Sequence, residues 1–204
     1  MSDSGAWYNN EQMGKKFLTK EKDIKGFTLI ELLVSIGIIA ALSAAVVVAL
    51  NPVELFRQAR DTQRVSSLAT LNKAINILQA GAPNFASLLG TKHQVYISLP
   101  DTASDCPNLK LILPALPADP SDPPDWTYHC ATQENLLKTD GTGWLPIDLS
   151  SVQAVSIPAL PKDPLNQYDP AVPAQAYFYT YATDGLGHYE LNAKTESKKF
   201  GIQQ

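Results

Sequence analysis

Hydrophobic and polar positions follow three successive patterns along this chain, and each predicts a different element. From Phe27 to Leu50 the chain carries one charge, Glu31, and no proline. As a helix that run reaches about 36 Å, enough to span a hydrocarbon core of about 30 Å. Asn51-Pro52 interrupts it. Proline lacks an N–H and clashes with the carbonyl four residues back, so a kink or frayed turn is expected there. Beyond it the pattern turns amphipathic. Val65, Leu68, Leu71, Ile75 and Leu78 recur at intervals of three and four, while Arg57, Arg60, Asp61, Arg64, Ser67 and Lys73 take other faces. Gly81-Ala82-Pro83 is a helix stop. One long helix from residue 27 to about 80 is predicted, with a lipid-suited half (27–50) and an amphipathic half (51–82).

Fourteen of the 15 prolines lie beyond residue 82, which forbids long helices there and favours turns and short strands. The segment 105–130 reads as an extended, proline-rich surface loop. The clearest strand signal is Ala176–Thr183, with Tyr177, Tyr179 and Tyr181 alternating against Phe178 and Thr180. Asp184-Gly185-Leu186-Gly187 turns the chain, and His188–Lys194 returns as its hairpin partner. Residues 83–204 are thus expected to form a globular head, α+β in class, with a small antiparallel sheet packed on the helix stripe.

Charge adds direction. Residues 1–26 hold five lysines, and fewer cations follow the apolar run at Arg57, Arg60 and Arg64, so the positive-inside rule favours a cytoplasmic N-terminus. Residues 1–12 are polar and read as disordered, and translation from either Met1 or Met13 fits the sequence. Residues 27–204 carry eleven basic and sixteen acidic side chains, which is no nucleic-acid footprint. Cys106 and Cys130 follow the apolar run. On the far side of a membrane such a pair implies a disulfide, the alternative being two separate buried thiols.

The junction Lys25-Gly26-Phe27-Thr28-Leu29-Ile30-Glu31, running on into Leu32-Leu33-Val34, resembles the prepilin signal of type IV pilins and pseudopilins. The resemblance covers Lys25 to about Pro52. It implies a leader (1–26) removed after Gly26 by a membrane-embedded prepilin peptidase, which also methylates Phe27. It implies, further, a structural subunit rather than an enzyme, stored in the membrane and polymerised through its helix into a surface filament on an assembly platform. Glu31 is the predicted assembly residue. A charge within an apolar span needs a partner, and the α-amino group made by cleavage in a neighbouring copy would supply one.

The stretch Leu160-Pro161-Lys162-Asp163-Pro164-Leu165-Asn166 is similar to the major pseudopilin of type II secretion, in which a loop of this region can hold calcium. That makes a secretion pseudopilin the alternative within the same class. Asp163, Asn166, Asp169 and Asp184 are the calcium candidates, set against plain Asp and Asn turn chemistry, which is the preferred reading; no other cofactor is expected. The proline-rich 105–130 loop departs from the compact pseudopilin pattern and keeps a pilus subunit in play. A different class, a signal-anchored binding domain or enzyme, would use the apolar run as a tether. His93, His129 and His188 stand far apart, and no nucleophile elbow, zinc helix or phosphate loop is present. A signal-peptidase cut near Ala41–Ala45 is disfavoured because the run continues apolar to Leu50 with no polar stretch after it.

Overall fold

The computed structural model describes residues 26–117, 125–152 and 157–201. The leader, apart from Gly26, lies outside them, as does the centre of the proline-rich loop. The chain divides into two compact units that meet between Ala49 and Leu50.

The first unit holds α1 (Leu29–Leu50) as far as Ala49. Leu29–Val47 is long and apolar enough to cross a membrane, and its described side chains are exposed throughout, apart from half-buried Ser35. The second unit opens with α2 (Pro52–Gly81). The expected interruption falls on Asn51, which takes a left-handed φ of 43°, a region asparagine tolerates better than most residues. Pro52 then occupies a first-turn position of α2, where its missing N–H has no intrahelical partner to lose. The predicted single helix is therefore two helices in sequence.

The sheet has the order β2-β1-β3-β4, from β1 (Gln94–Pro100), β2 (Thr127–Ala131), β3 (Tyr179–Thr183) and β4 (Tyr189–Ala193). The late hairpin is present as β3 and β4, paired antiparallel with Tyr181 opposite Leu191. The wholly antiparallel sheet is corrected: β1 pairs antiparallel with β3 but parallel with β2. A parallel neighbour cannot be reached by a tight turn and needs a long crossover. Here the stapled segment between Pro100 and Thr127 is that crossover, so the proline-rich loop has a topological role.

Period-two alternation splits the strands between two cores. Tyr96, Tyr179 and Tyr181 face a core that includes Leu71, Ala74 and Ile75 of α2, with Trp144 wholly buried in it. Ile97 and Leu99, with Phe178 packed beside them, face a second core that contains Leu113 and both cysteines. Cys106 and Cys130 form a disulfide with Cα atoms 5.3 Å apart. The tyrosine alternation holds for Tyr179 and Tyr181, while Tyr177 lies outside β3 and bridges to Gln167.

The helix stripe needs one correction. Leu71 and Ile75 are buried and Leu68 and Leu78 half-buried, but Val65 is exposed. Its expected place is held by Asp61 and Arg64, both almost wholly buried. The stripe actually runs 61, 64, 68, 71, 75, 78, the spacing of one helix face. Charges escape a hydrophobicity pattern, and they occupy this one because each has a partner.

Candidate functional site

The predicted processing and assembly residues gather at the start of α1. Thr28 precedes the first helical residue, and the Glu31 N–H donates to Thr28 Oγ1 at 3.3 Å, while the Leu32 N–H donates to the Thr28 carbonyl at 3.1 Å. Thr28-x-x-Glu31 is thus the threonine half of a capping box, with Glu31 in the first turn, where a carboxylate complements the helix dipole. Gly26 and Phe27 lie outside the helix and are exposed, Phe27 by 74%. A Cβ built on Gly26 would meet nothing within 4 Å. Glu31 is exposed, and no ion-pair partner for its carboxylate occurs among the described residues. A chain beginning at Phe27 would place its ammonium group just outside the capped turn.

In the second unit the structure assembles a cluster of charged side chains that hydrophobic periodicity did not reveal. Arg64 donates from Nε and Nη2 to the two carboxylate oxygens of Asp163, at 2.6 and 2.9 Å. Its Nη1 donates to Asp61 at 2.7 Å and lies 2.6 Å from Glu196 Oε1. Arg60 makes a bidentate pair with Glu196. Asp61 also accepts the backbone N–H groups of Glu196 and Ser197, and Glu54 accepts that of Lys198. The cluster ties α2 to the 163 turn and to the segment after β4.

Hydrogen bonding sets the protonation of these groups. Burial pushes the Arg64 guanidinium down, but its bonds to Asp163, Glu196 and Asp61 outweigh this and hold it above the ordinary arginine value. Burial likewise pushes Asp61 up, and the Ser197, Glu196 and Arg64 donors bring it below the usual carboxylate range. The Arg60 fork is the main cause holding Glu196 down. Of the three cations that follow the apolar run, Arg60 and Arg64 are consumed in this cluster. A signal for Asp61 and Arg64 did exist, in their spacing ahead of Leu68 and Leu71.

The four calcium candidates take up separate tasks. Asp163 pairs with Arg64 and accepts the Leu165 N–H. Asn166 bonds Ser98 through both ends of its carboxamide. Asp169 accepts the Ala171 N–H, and Asp184 accepts the Leu186 N–H and contacts His188 Nδ1 at 2.6 Å. Among the described residues no group of three or more His, Cys, Asp or Glu side chains is arranged to hold a metal.

Of the histidines, His188 sits in the hairpin turn, His93 lies edge-on to Trp126, and His129 lies against Tyr96. Burial lowers the pKa of His129. Cys130, beside it, is held in the disulfide. Asp101 organises the start of the crossover. Burial pushes it up, but bonds from the Leu109 and Thr102 N–H groups and from Asn108 bring it down to about 2.

Against this geometry, residues 22–47 match the family model of the prokaryotic N-terminal methylation motif. That motif is the prepilin signature of type IV pilins and pseudopilins, and the chain carries it across the capped start and most of α1. The motif's family is structural rather than enzymatic. The motif implies processing by prepilin peptidase and assembly into pilus or secretion filaments, and together with the apolar helix it is consistent with membrane anchoring. No curated protein and no solved structure matches the chain.

Proposed function

We propose that this chain is a structural subunit of a type IV pilus-like filament. It is made as a membrane-anchored precursor with a cytoplasmic N-terminus, cut between Gly26 and Phe27 and methylated on Phe27. The observation that carries the reading is a capped apolar helix, its described side chains exposed apart from half-buried Ser35, whose one carboxylate, Glu31, has no ion-pair partner among the described residues. In a filament α1 exchanges lipid for identical helices, and Glu31 of one copy pairs with the new ammonium group of the next. Pairing offsets the desolvation of both charges and sets the axial register.

Intact mass and N-terminal sequencing of the protein from its native membranes test the first half: the chain should begin at methylated Phe27. A chain beginning near Ala44 would defeat the reading. Glu31→Ala tests the second half. It should be cleaved normally and yield few filaments, and wild-type filament yield from that variant would refute the role given to Glu31.

A further inference from the structure

The apolar character of the chain does not stop where α1 ends. Only Asn51 separates α1 from α2, and the first turns of α2 leave Val53, Leu55 and Phe56 exposed by 59%, 51% and 65%. At 100° per residue Val53 and Phe56 lie about 60° apart on neighbouring faces, and Val53 is in phase with Leu71 but stays exposed because it lies beyond the buried end of the stripe at Asp61. Arg57 follows immediately and is also exposed. The sequence alone would place only this one cation at the boundary.

Tertiary structure adds more. Lys198 is pinned to the first turn of α2 by its backbone N–H, which donates to Glu54 Oε1 at 2.9 Å. The N–H groups of Glu196 and Ser197 are fixed to Asp61, two turns further along α2, at 2.9 and 2.8 Å. The side chains of Lys198, Lys199 and Phe200 remain exposed, with Lys199 Nζ 5.3 Å from the Phe200 ring centroid. The buried charge cluster thus carries cations from the far end of the chain to the turn that directly follows the apolar span.

We infer that this edge of the second unit, Val53, Phe56, Arg57, Lys198, Lys199 and Phe200, docks on the anionic headgroup surface of the membrane that holds α1. The inference rests on the reading of α1 as a membrane span. Two features select a lipid surface as the occupant. The edge continues covalently from the span, Phe56 lying six residues beyond Leu50, and it combines a short apolar collar with cations, as an interfacial segment does. Its acidic residues are each paired: Glu196 is tied to Arg60 and Arg64, and Glu54 lies 3.9 Å from Arg57 and accepts the Lys198 N–H, which leaves Lys198 and Lys199 as the cations the edge presents. Docking would hold the unit against the bilayer before assembly.

The test uses the full chain reconstituted in vesicles of phosphatidylcholine alone or with 30 mol% phosphatidylglycerol, at low protein-to-lipid ratio. The readout is quenching of a Phe56→Trp variant by brominated acyl chains, after subtracting the parent chain's signal. Quenching should rise with anionic lipid and fall back at high salt. Lys198→Gln with Lys199→Gln should lower the docked-to-free ratio by about 30-fold, each lysine near an anionic surface contributing roughly fivefold. Quenching insensitive to anionic lipid and to both lysines, in a chain that resists carbonate extraction, would overturn the inference and leave the span intact. Quenching that changes only with protein-to-lipid ratio would overturn it in favour of a second copy as the occupant. Release of the chain by carbonate would overturn the span reading, and this one with it.

Discussion

Replacing Arg64 by Met tests the charged cluster at its centre. The substitution keeps an unbranched side chain in a site where Arg64 is 1% exposed, and it removes every guanidinium donor. Asp61 keeps the Glu196 and Ser197 N–H groups, and Glu196 keeps Arg60. Asp163 loses both of its short guanidinium bonds and retains backbone N–H groups at 2.9 and 3.4 Å, while being itself 1% exposed. Stranding one buried partner of an ion pair costs about 3–5 kcal/mol. For a domain of this size that corresponds to a fall in Tm of roughly 6–20 °C.

The assay is thermal unfolding of the full chain in detergent, followed by the near-UV dichroism of Trp144, whose Nε1–H donates to the Pro161 carbonyl at 2.9 Å beside the cluster. Adding Asp163→Asn should recover part of the loss, since the carboxamide oxygen still accepts the Leu165 N–H. A loss below about 1 kcal/mol would refute the reasoning.

Acid unfolding of the wild type has a fixed sign. Asp61 and Glu196 are held below their ordinary values of 3.8 and 4.5, so the stability they contribute is complete above about pH 5 and is lost as pH falls through their folded values; a Tm that rises from pH 5 to pH 3 would contradict this. Cys106→Ser with Cys130→Ser should cost about 3 kcal/mol, by freeing the unfolded chain and opening the second core around Ile97 and Leu99, and denaturant unfolding measures it. Gly143→Ala should destabilise the head by about 2 kcal/mol or more, because the new methyl would collide with the Lys138 carbonyl and come within 2.6 Å of Leu160 Cδ1; an unchanged denaturation midpoint would show that the 138–143 turn yields. Arg57→Met, which removes an exposed pair at 3.9 Å from Glu54, should change stability by less than about 0.5 kcal/mol in the same assay.

Sequence alone determined whatever depends on neighbours along the chain. The lipid-suited run, the break at Asn51-Pro52, the stop after Gly81 and the hairpin of β3 and β4 all follow from local rules: helix period, proline geometry, strand alternation and turn residues. The Lys-Gly-Phe-Thr-Leu-Ile-Glu junction is likewise local. The tertiary structure decided the rest. It paired β2 in parallel with β1 across a long crossover, because the position of a strand in a sheet is set by non-local burial on both faces. It placed Asp61 and Arg64 on the buried stripe in place of Val65, because a charge can be buried when its partners come from elsewhere: Asp163, 99 residues away, and Glu196, 135 residues from Asp61. It also brought Lys198 beside Glu54. No pattern along the chain encodes such pairings, since each exists only once the backbone has folded.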